Sequence, residues 1–207
     1  MGPAAATPLR LDGLTQLPPG KIASIVTYLQ RRSPPAGPAS ASRDDWTVAP
    51  IGADLGRYRK LYRSVGERWL WFSRVTMPDE ALHAILADPL VEAFALQRDT
   101  DEIGLLELDF RQPGECEIVF FGVVSEAIGT SAGRFLMRVA IERAFARSVR
   151  RLWLHTCTLD HPSAVAFYVR SGFTAYERAV EIVDDPRLTG AIPLDAAPHA
   201  PVIGTAD

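Results

Sequence analysis

The spacing of apolar residues predicts alternating strands and helices over most of the chain. Short runs in which apolar and polar residues alternate are typical of half-buried strands, and a repeat of three to four residues is typical of amphipathic helices. The strands are predicted at Gly20–Leu29, Trp46–Ile51, Val91–Gln97, Ile103–Phe110, Glu117–Val124, Arg151–Cys157 and Phe173–Val183. The helices are predicted at Ala53–Val65, from a Thr76–Asp79 capping box to Asp88, at Ser131–Arg147, and after Asp160-His161-Pro162.

The order of these elements predicts an α/β (α+β) domain with a mixed sheet. Short turns between 91–97, 103–110 and 117–124 indicate an antiparallel meander. The clearest amphipathic helix, 131–147, joins strand 117–124 to strand 151–157, and this connection makes those two strands parallel. We therefore expect six or seven mostly antiparallel strands with one parallel junction and about four helices. Strand 20–29 is expected to extend an edge of the sheet.

Proline density marks the ends of the predicted domain. Residues 1–50 hold eight of the 16 prolines and residues 186–207 hold four, whereas the long central stretch holds only four. Proline fixes φ and removes a backbone donor, so this density argues against regular structure at both ends. We divide the chain into an N-terminal extension with one strand and a Pro-rich linker (1–44), a domain (45–185) and a Pro-rich C-terminal tail (186–207).

Composition narrows the functional classes. The formal net charge of the 207 residues is −3, and no basic stripe predicts a nucleic-acid partner. No apolar run is long enough to span a membrane, and the first residues lack a secretory signal. Only two cysteines and two lysines occur, which argues against a disulfide scaffold, a Schiff-base enzyme and a phosphate-loop NTPase. A reducing, cytoplasmic location is expected.

The loop between strand 117–124 and helix 131–147 has the composition of an anion-binding site. Unpaired backbone N–H groups at a helix N-terminus favour an anion such as a diphosphate, glycines allow close approach, and hydroxyl and guanidinium groups add donors. An ordinary helix cap would have a similar composition. The candidate binding residues are Gly129, Thr130, Ser131, Ala132, Gly133 and Arg134.

Part of this loop also fits the Gly-x-Ser-x-Gly nucleophile elbow of a serine hydrolase. In such an elbow the strand runs directly into the first glycine, and an aspartate and a histidine follow at separate places in the chain. Here residues 125–128 intervene, and Asp160 and His161 are adjacent. The hydrolase is therefore the less favoured hypothesis.

Two segments resemble the GCN5-related N-acetyltransferase (GNAT) superfamily. In the first, Gly133 and Leu136 match the end of the acyl-CoA-binding motif, although Ile128 and Ser131 stand where Gln or Arg and the first Gly are usual. The second runs from His161 to Phe173 and matches the family's Asn-x-x-Ala-x-x-Leu/Phe-Tyr-x-x-x-Gly-Phe pattern except at His161, which replaces the asparagine. The resemblance covers about residues 45–183.

The resemblance implies a fold and a reaction. The sheet would splay at its parallel junction, and acetyl-CoA would lie in the gap as the acyl donor, bonded to the amides of Val123 and Val124. A primary amine would attack the thioester directly, and Tyr168 would protonate the leaving thiolate. His161 and Phe167, within the second segment, join the loop residues as expected cofactor contacts.

A base for the amine has two candidates. Glu117 begins its strand, where some family members carry a glutamate base, and alternation places Glu117, Val119 and Phe121 on one face. Glu107 on the adjacent strand is the rival, and either carboxylate could instead be structural. The aromatic residues Trp69, Trp71 and Phe72 are expected near the acceptor pocket, or else in packing between the first two helices.

The sequence thus predicts an N-acyltransferase that moves an acetyl group from acetyl-CoA to a small-molecule amine or a peptide. The departures at Ile128 and Ser131 keep open a non-catalytic CoA-binding or sensing module. His155, Cys157 and His161 supply three metal ligands without a fourth, so no metal is expected. Neither a nucleic acid nor a membrane is an expected partner, and a homodimer is compatible with the sequence.

Overall fold

The computed structural model describes residues 9–35 and 45–204. The described part contains seven strands and five α-helices, with 3-10 turns at Glu67–Trp69 and Ser125–Ala127. The strands are β1 (Lys21–Arg31), β2 (Trp46–Pro50), β3 (Val91–Arg98), β4 (Asp101–Asp109), β5 (Glu115–Val123), β6 (Arg151–Cys157) and β7 (Thr174–Asp184). The helices are α1 (Leu55–Gly66), α2 (Ser73–Thr76), α3 (Asp79–Leu86), α4 (Ala132–Ala146) and α5 (Ala164–Arg170).

All seven strands form one sheet in the order β2-β3-β4-β5-β6-β1-β7. Every neighbouring pair is antiparallel except β5 and β6, which are parallel. The predicted mixed sheet with a single parallel junction is therefore confirmed. None of the helices in the described ranges is both long and apolar enough to cross a bilayer.

The structure corrects the predicted position of the first strand, which does not lie at an edge of the sheet. It lies between β6 and β7 and pairs with both. This position buries Leu29 completely and leaves Val26 only 5% exposed. The guanidinium group of Arg31 also donates a 2.6 Å hydrogen bond to the carbonyl of Ser171, just beyond α5. Residues 21–31 of the extension are therefore an inner strand of the sheet, and β7 is the edge strand on this side.

Helices cover both faces of the sheet. On one face, α4 and α5 bury a core that includes Leu136, Met137, Leu152, Leu154 and Tyr168. On the other face, α1 and α3 bury Tyr58, Leu61, Tyr62 and Leu82 against the meander. Each of these helices turns a stripe of apolar residues toward the sheet, which explains why a buried core lies on both faces of the sheet.

The predicted capping box before α3 is wrong. Thr76 belongs to the end of α2, where its hydroxyl group donates to the carbonyls of Phe72 and Ser73. The residue that precedes α3 is Pro78, and no side chain caps the helix. Because the Thr76 hydroxyl bonds backward to its own helix, it cannot reach the first amides of α3.

A bulge interrupts β5. Glu107 pairs with Phe120 while Leu108 pairs with Ile118, so Val119 is an extra residue. Ile118 therefore packs in the α4 core and Phe120 in the α1 core. The prediction that Glu117 and Phe121 share a face is wrong, because the bulge changes the alternation between them.

The C-terminal segment 185–204 has neither helix nor strand but packs against the domain. Arg187 is 4% exposed and pairs with Asp185, with Nη2 2.7 Å from Oδ2. Its Nη1 also donates to the carbonyl oxygens of Ala196, Ala197 and Ala200. This arginine holds the segment folded, so that Ile192, Ala197 and Ala200 pack on Leu70 and Phe72.

We expect Arg187→Ala to lower the free energy of unfolding by about 3–5 kcal/mol, because it leaves the Asp185 carboxylate buried without its partner. Urea unfolding followed by tryptophan fluorescence measures the change. Arg111→Ala is the matched control, since Arg111 pairs with Asp109 at the same sequence spacing but is 46% exposed. The control should cost no more than about 1 kcal/mol. Equal losses would contradict the role given to Arg187.

Candidate active site

The parallel junction opens into a gap. β5 and β6 are paired only from Glu115 with Arg151 to Glu117 with Trp153, and beyond this point they share no pairing. A cavity of about 1010 Å³ occupies the gap. Its wall comes from both faces of the sheet: Phe121, Phe167 and Tyr168 on the α4 side, and Tyr62, Trp71 and Phe120 on the α1 side. Two molecules can therefore meet in the gap from opposite sides.

The edge of β5 offers backbone groups to this cavity. The N–H of Val124 donates to the carbonyl of Ile103 at 3.0 Å. Backbone groups of an antiparallel strand alternate between its two sides, so those of Val123 point away from β4 and into the gap. The expectation that Val123 binds the cofactor stays a prediction, which this geometry allows. The expectation for the Val124 amide needs correction, because that amide is already bonded.

Two of the predicted loop residues serve the turn itself. The Thr130 hydroxyl donates to the carbonyl of Ala127 at 2.7 Å and accepts the N–H of Ala132 at 3.1 Å. Ala132 is fully buried. Neither the Thr130 hydroxyl hydrogen nor the Ala132 amide is available to an anion, which corrects the prediction for these two groups.

The remaining donors cluster at the start of α4. Within the described part of the chain, no side chain caps the amides of Gly133 and Arg134, and Ser131 makes no capping bond. Gly133 and Arg134 line the cavity, as does Gly129, whose φ of +79° favours glycine. The Arg134 guanidinium donates to the Ser131 hydroxyl oxygen at 3.1 Å. Because Arg134 is the donor in this contact, the hydroxyl hydrogen of Ser131 remains free to donate. The contact provides no base that could activate the serine as a nucleophile.

Tyr168 lies on the cavity wall within an aromatic cluster. Its ring is 6.1 Å from Phe121, 5.6 Å from Phe167 and 6.2 Å from Phe173, centroid to centroid. None of the hydrogen bonds found among the described residues involves its hydroxyl group. Burial, and next the carboxylate of Asp160, raise the pKa of Tyr168 far above its usual value. The phenol is therefore protonated and free to donate.

The two candidate bases lie in different surroundings. Glu107 is 1% exposed and accepts hydrogen bonds from the Tyr58 hydroxyl and, at 2.6 Å, from Arg74 Nη2. Its carboxylate is therefore occupied by structural partners and does not line the cavity. Glu117 lies with Oε1 3.6 Å from Nδ1 of His155, and His155 does line the cavity.

The nearby carboxylate of Glu117 raises the pKa of His155 above its ordinary value of 6.5, although burial opposes the change. Asp160 and Glu181 add smaller contributions in the same direction. The sequence suggests His155 only as a metal ligand. Its place on a strand beside Glu117 becomes visible only when β5 and β6 are paired.

The three predicted pocket aromatics all line the cavity. Trp71 is in contact with Tyr62 and Phe120, at centroid distances of 5.5 and 5.2 Å. Trp69 lies 5.2 Å from the ring of His161, whose Nδ1 accepts the N–H of Ser163 at 3.1 Å. Phe72 packs instead against the C-terminal segment. Among the described residues, no group of three or more His, Cys, Asp or Glu side chains is arranged to hold a metal ion.

The comparison with known families decides the assignment. The model described as "Acetyltransferase (GNAT) family" matches residues 58–173, more than half of the chain. The chain belongs to the GNAT acetyltransferase family. The matched range contains β5, α4, β6 and α5, which together form the gap. No curated protein matches the chain at a significant level.

Solved structures of GNAT proteins share the fold. A GCN5-related N-acetyltransferase from Sphaerobacter thermophilus is 16% identical with a TM-score of 0.60, over 78% of this chain and 52% of that one. A GNAT-family putative acetyltransferase from Novosphingobium aromaticivorans is 18% identical with a TM-score of 0.54, over 80% of this chain and 67% of that one. An aminoglycoside acetyltransferase from a soil metagenomic sample, in complex with sisomicin, is 16% identical with a TM-score of 0.55, over 67% of this chain and 94% of that one. This chain therefore spans about half of the Sphaerobacter protein, and at these identities the likeness concerns the fold.

Segments outside the GNAT match complete the cavity. Ile22 and Ser24 of β1 lie on its wall, as do Glu181 of β7 and Pro186 at the start of the C-terminal segment. These residues belong to the α1 face of the sheet, away from α4. The family-matched part thus forms the gap and its helix N-terminus, and residues of β1, β7 and the start of the C-terminal segment close the opposite end.

Proposed function

We propose that the protein is an N-acetyltransferase that moves an acetyl group from acetyl-CoA to a primary amine. The observation that carries the proposal is the cavity itself, which joins the amides of Gly133 and Arg134 at the start of α4 to the Tyr168 hydroxyl group through the opening between β5 and β6. Within the described residues, no side chain caps these two amides and the hydroxyl group has no hydrogen-bond partner. Both cysteines, Cys116 and Cys157, are free thiols, which supports a cytoplasmic location.

The residues present fit acetyl-CoA, which would supply an activated acetyl thioester. The amides of Gly133 and Arg134, together with the Arg134 guanidinium, would hold the diphosphate at the positive end of α4. The backbone of Val123 would bond the pantetheine along the free edge of β5. An alanine Cβ at Gly133 would meet only two carbons of Phe167 at 3.9 Å, so space remains beside this amide.

Tyr168 would act as the general acid. The amine nitrogen forms its bond to the acetyl carbon as the C–S bond breaks, and the electron pair of that bond leaves on sulfur. Tyr168 donates its proton to this sulfur. Burial keeps the tyrosine protonated until then, because it disfavours the phenolate.

His155, paired with Glu117, would accept the proton that the amine loses. The geometry favours Glu117 over Glu107, because the carboxylate of Glu107 is held by Arg74 and Tyr58. In this arrangement Glu117 orients the imidazole and stabilises its charged form, and His155 reaches the cavity.

We expect Glu117→Gln to move the acidic limb of the pH profile to lower pH. A base must be neutral, so activity rises with pH through the pKa of His155, which in the native protein lies above 6.5. Glutamine removes the carboxylate that raises this pKa, and the limb follows it downward. The measurement is kcat/KM of amine acetylation between about pH 5 and 9. His155→Gln is the companion variant and should remove the limb. If the acidic limb of Glu117→Gln stayed at the same pH as that of the wild type, this assignment of the base would be contradicted.

Release of free CoA from acetyl-CoA, followed with a thiol-reactive dye, tests the proposed function. The acceptor panel should contain 2-phenylethylamine, spermidine, an aminoglycoside and a short peptide with a free N-terminus. Amine-dependent release with any of them supports an acetyltransferase. Binding of acetyl-CoA without release for any amine would support a non-catalytic CoA-binding module instead. Esterase activity abolished by Ser131→Ala would support the hydrolase.

A further inference from the structure

A half-buried carboxylate lies where the cavity passes through the sheet. Asp160, in the loop after β6, lines the cavity. Its Oδ1 accepts the indole N–H of Trp71 at 3.2 Å. Its Oδ2 accepts the Thr156 hydroxyl at 2.7 Å and the N–H of Cys157 at 2.8 Å. A carboxylate offers about four acceptor positions, so three donors fix its orientation and leave one position, on Oδ1, open.

No arginine or lysine side chain forms an ion pair with this carboxylate in the part of the chain that the structure describes. Arg74, the cation on the α1 side of the cavity, is committed to Glu107, with Nη2 2.6 Å from Oε1. Arg134 and Arg170 lie on α4 and α5, on the opposite face of the sheet. Among the described residues, the only other carboxylate on this cavity wall is Glu181 of β7. When His155 is neutral, as a base must be, the end of the cavity away from α4 therefore carries an excess of negative charge.

The wall beside Asp160 is aromatic. The rings of Tyr62, Trp71 and Phe120 are in mutual contact, with centroids 4.9 to 5.5 Å apart. Leu70 and Phe72 continue this apolar surface toward the C-terminal segment. Aromatic faces attract an ammonium group and also bury an apolar carbon skeleton.

We propose that Asp160 binds the ammonium group of the acceptor, and that the acceptor is a compact primary amine with an apolar body and no carboxylate beside the amine. This inference rests on the proposed function. A second carboxylate would meet Asp160 as a like charge, and Arg74 cannot compensate it while bound to Glu107. Asp160, Tyr168 and His155 all line this cavity. An amine held at Asp160 therefore shares the cavity with both the acid and the base.

The first test compares ligands on the wild-type enzyme. The probes are 2-phenylethylamine, phenylalanine, which adds a carboxylate beside the same amine, and 2-phenylethanol, a neutral analogue. We expect kcat/KM for 2-phenylethylamine to exceed that for phenylalanine by about 10- to 100-fold, the range of one hydrogen bond to a charged group. We also expect 2-phenylethanol to bind more weakly than the amine by a similar factor. Equal use of amine and amino acid would overturn the proposal while leaving acetyl transfer intact.

The second test changes the carboxylate. Asp160→Asn should raise KM for 2-phenylethylamine by about 10- to 100-fold and remove the preference for the amine over 2-phenylethanol. The Kd for acetyl-CoA should change by less than about twofold, since the phosphate-binding residues are on the other face. Glu177→Gln is the matched control and should leave KM unchanged, because Glu177 is exposed on β7 and does not line the cavity. No KM effect in Asp160→Asn, or an equal effect in Glu177→Gln, would overturn the assignment.

Two measurements distinguish a failure of this inference from misfolding of the variant and from a failure of the proposed function. The melting temperature of Asp160→Asn shows whether the variant folds, and the ligand comparison on the wild type needs no variant. If the enzyme binds acetyl-CoA but acetylates no amine, the proposed function fails. Calorimetric titration of 2-phenylethylamine and 2-phenylethanol into the CoA-bound protein then still decides whether Asp160 selects the ammonium.

Discussion

Tyr168→Phe is expected to lower kcat by about 100- to 10,000-fold, the range contributed by general acid–base catalysis. The Kd for acetyl-CoA should change by less than about twofold, because the phenylalanine ring can keep the contacts with Phe121, Phe167 and Phe173. The melting temperature should not change either. The hydroxyl group makes no hydrogen bond to the described part of the protein, so its removal leaves no group unpaired.

Steady-state release of CoA gives kcat, and calorimetric titration gives the Kd. Tyr176→Phe is the matched control, because Tyr176 is on the exposed edge strand β7 and is 38% exposed. We expect the control to behave as the wild type in both measurements. If Tyr168→Phe and Tyr176→Phe gave the same kcat, Tyr168 would be a packing residue, and the proton for the sulfur would have to come from water or another group.

The second large effect is expected at the start of α4. Gly133→Glu should weaken acetyl-CoA binding at least about 100-fold, equivalent to about 2.7 kcal/mol. A glutamate side chain here would project into the space that the diphosphate needs, and its charge would repel the phosphates. It would also occupy the positive end of the helix, which otherwise favours the ligand's anion.

Gly133→Ala separates the effect of charge and size from that of backbone strain. The Cβ of alanine would meet Phe167 at 3.9 Å, an ordinary contact, and the glycine has no positive φ. The alanine variant should therefore fold as the wild type and keep most of its affinity for acetyl-CoA. Titration of acetyl-CoA into both variants checks this. Tight binding by Gly133→Glu would show that the diphosphate does not lie at the start of α4.

Local sequence patterns predicted the elements that surround the gap. The bounds of β6 agree with the structure at both ends, because a short segment rich in apolar residues between polar turns is typical of a strand. The prediction for α4 differs by one residue at each end, since its apolar stripe repeats with helical spacing. Because a parallel pair needs a crossover, the order strand, helix, strand was enough to predict the junction where β5 and β6 separate.

Interactions between distant parts of the chain could not be predicted in the same way. The alternation of β1 indicates a strand but does not say which neighbours it pairs with, so its place between β6 and β7 was missed. The bulge at Val119 arises from the register with β4, and it changes which face Phe121 occupies. The C-terminal segment folds around the single side chain of Arg187, which leaves no periodic pattern.

The chemistry of the site was predictable only in part. Tyr168 and Gly133 were found from motifs, but the roles of other side chains depend on partners far apart in the sequence. Glu107 could be a base until Arg74, 33 residues away, is seen to hold its carboxylate. Asp160 was interpreted as the start of a helix, and its contact with Trp71 joins residues 89 positions apart.

A crystal structure of the protein grown with CoA tests the central claim most directly. We predict that the diphosphate lies on the amides of Gly133 and Arg134, and that the pantetheine chain enters the gap along Val123 with its sulfur near the Tyr168 hydroxyl. The claim would be contradicted by CoA bound elsewhere on the molecule, or by a gap that closes on its own side chains while saturating CoA is present.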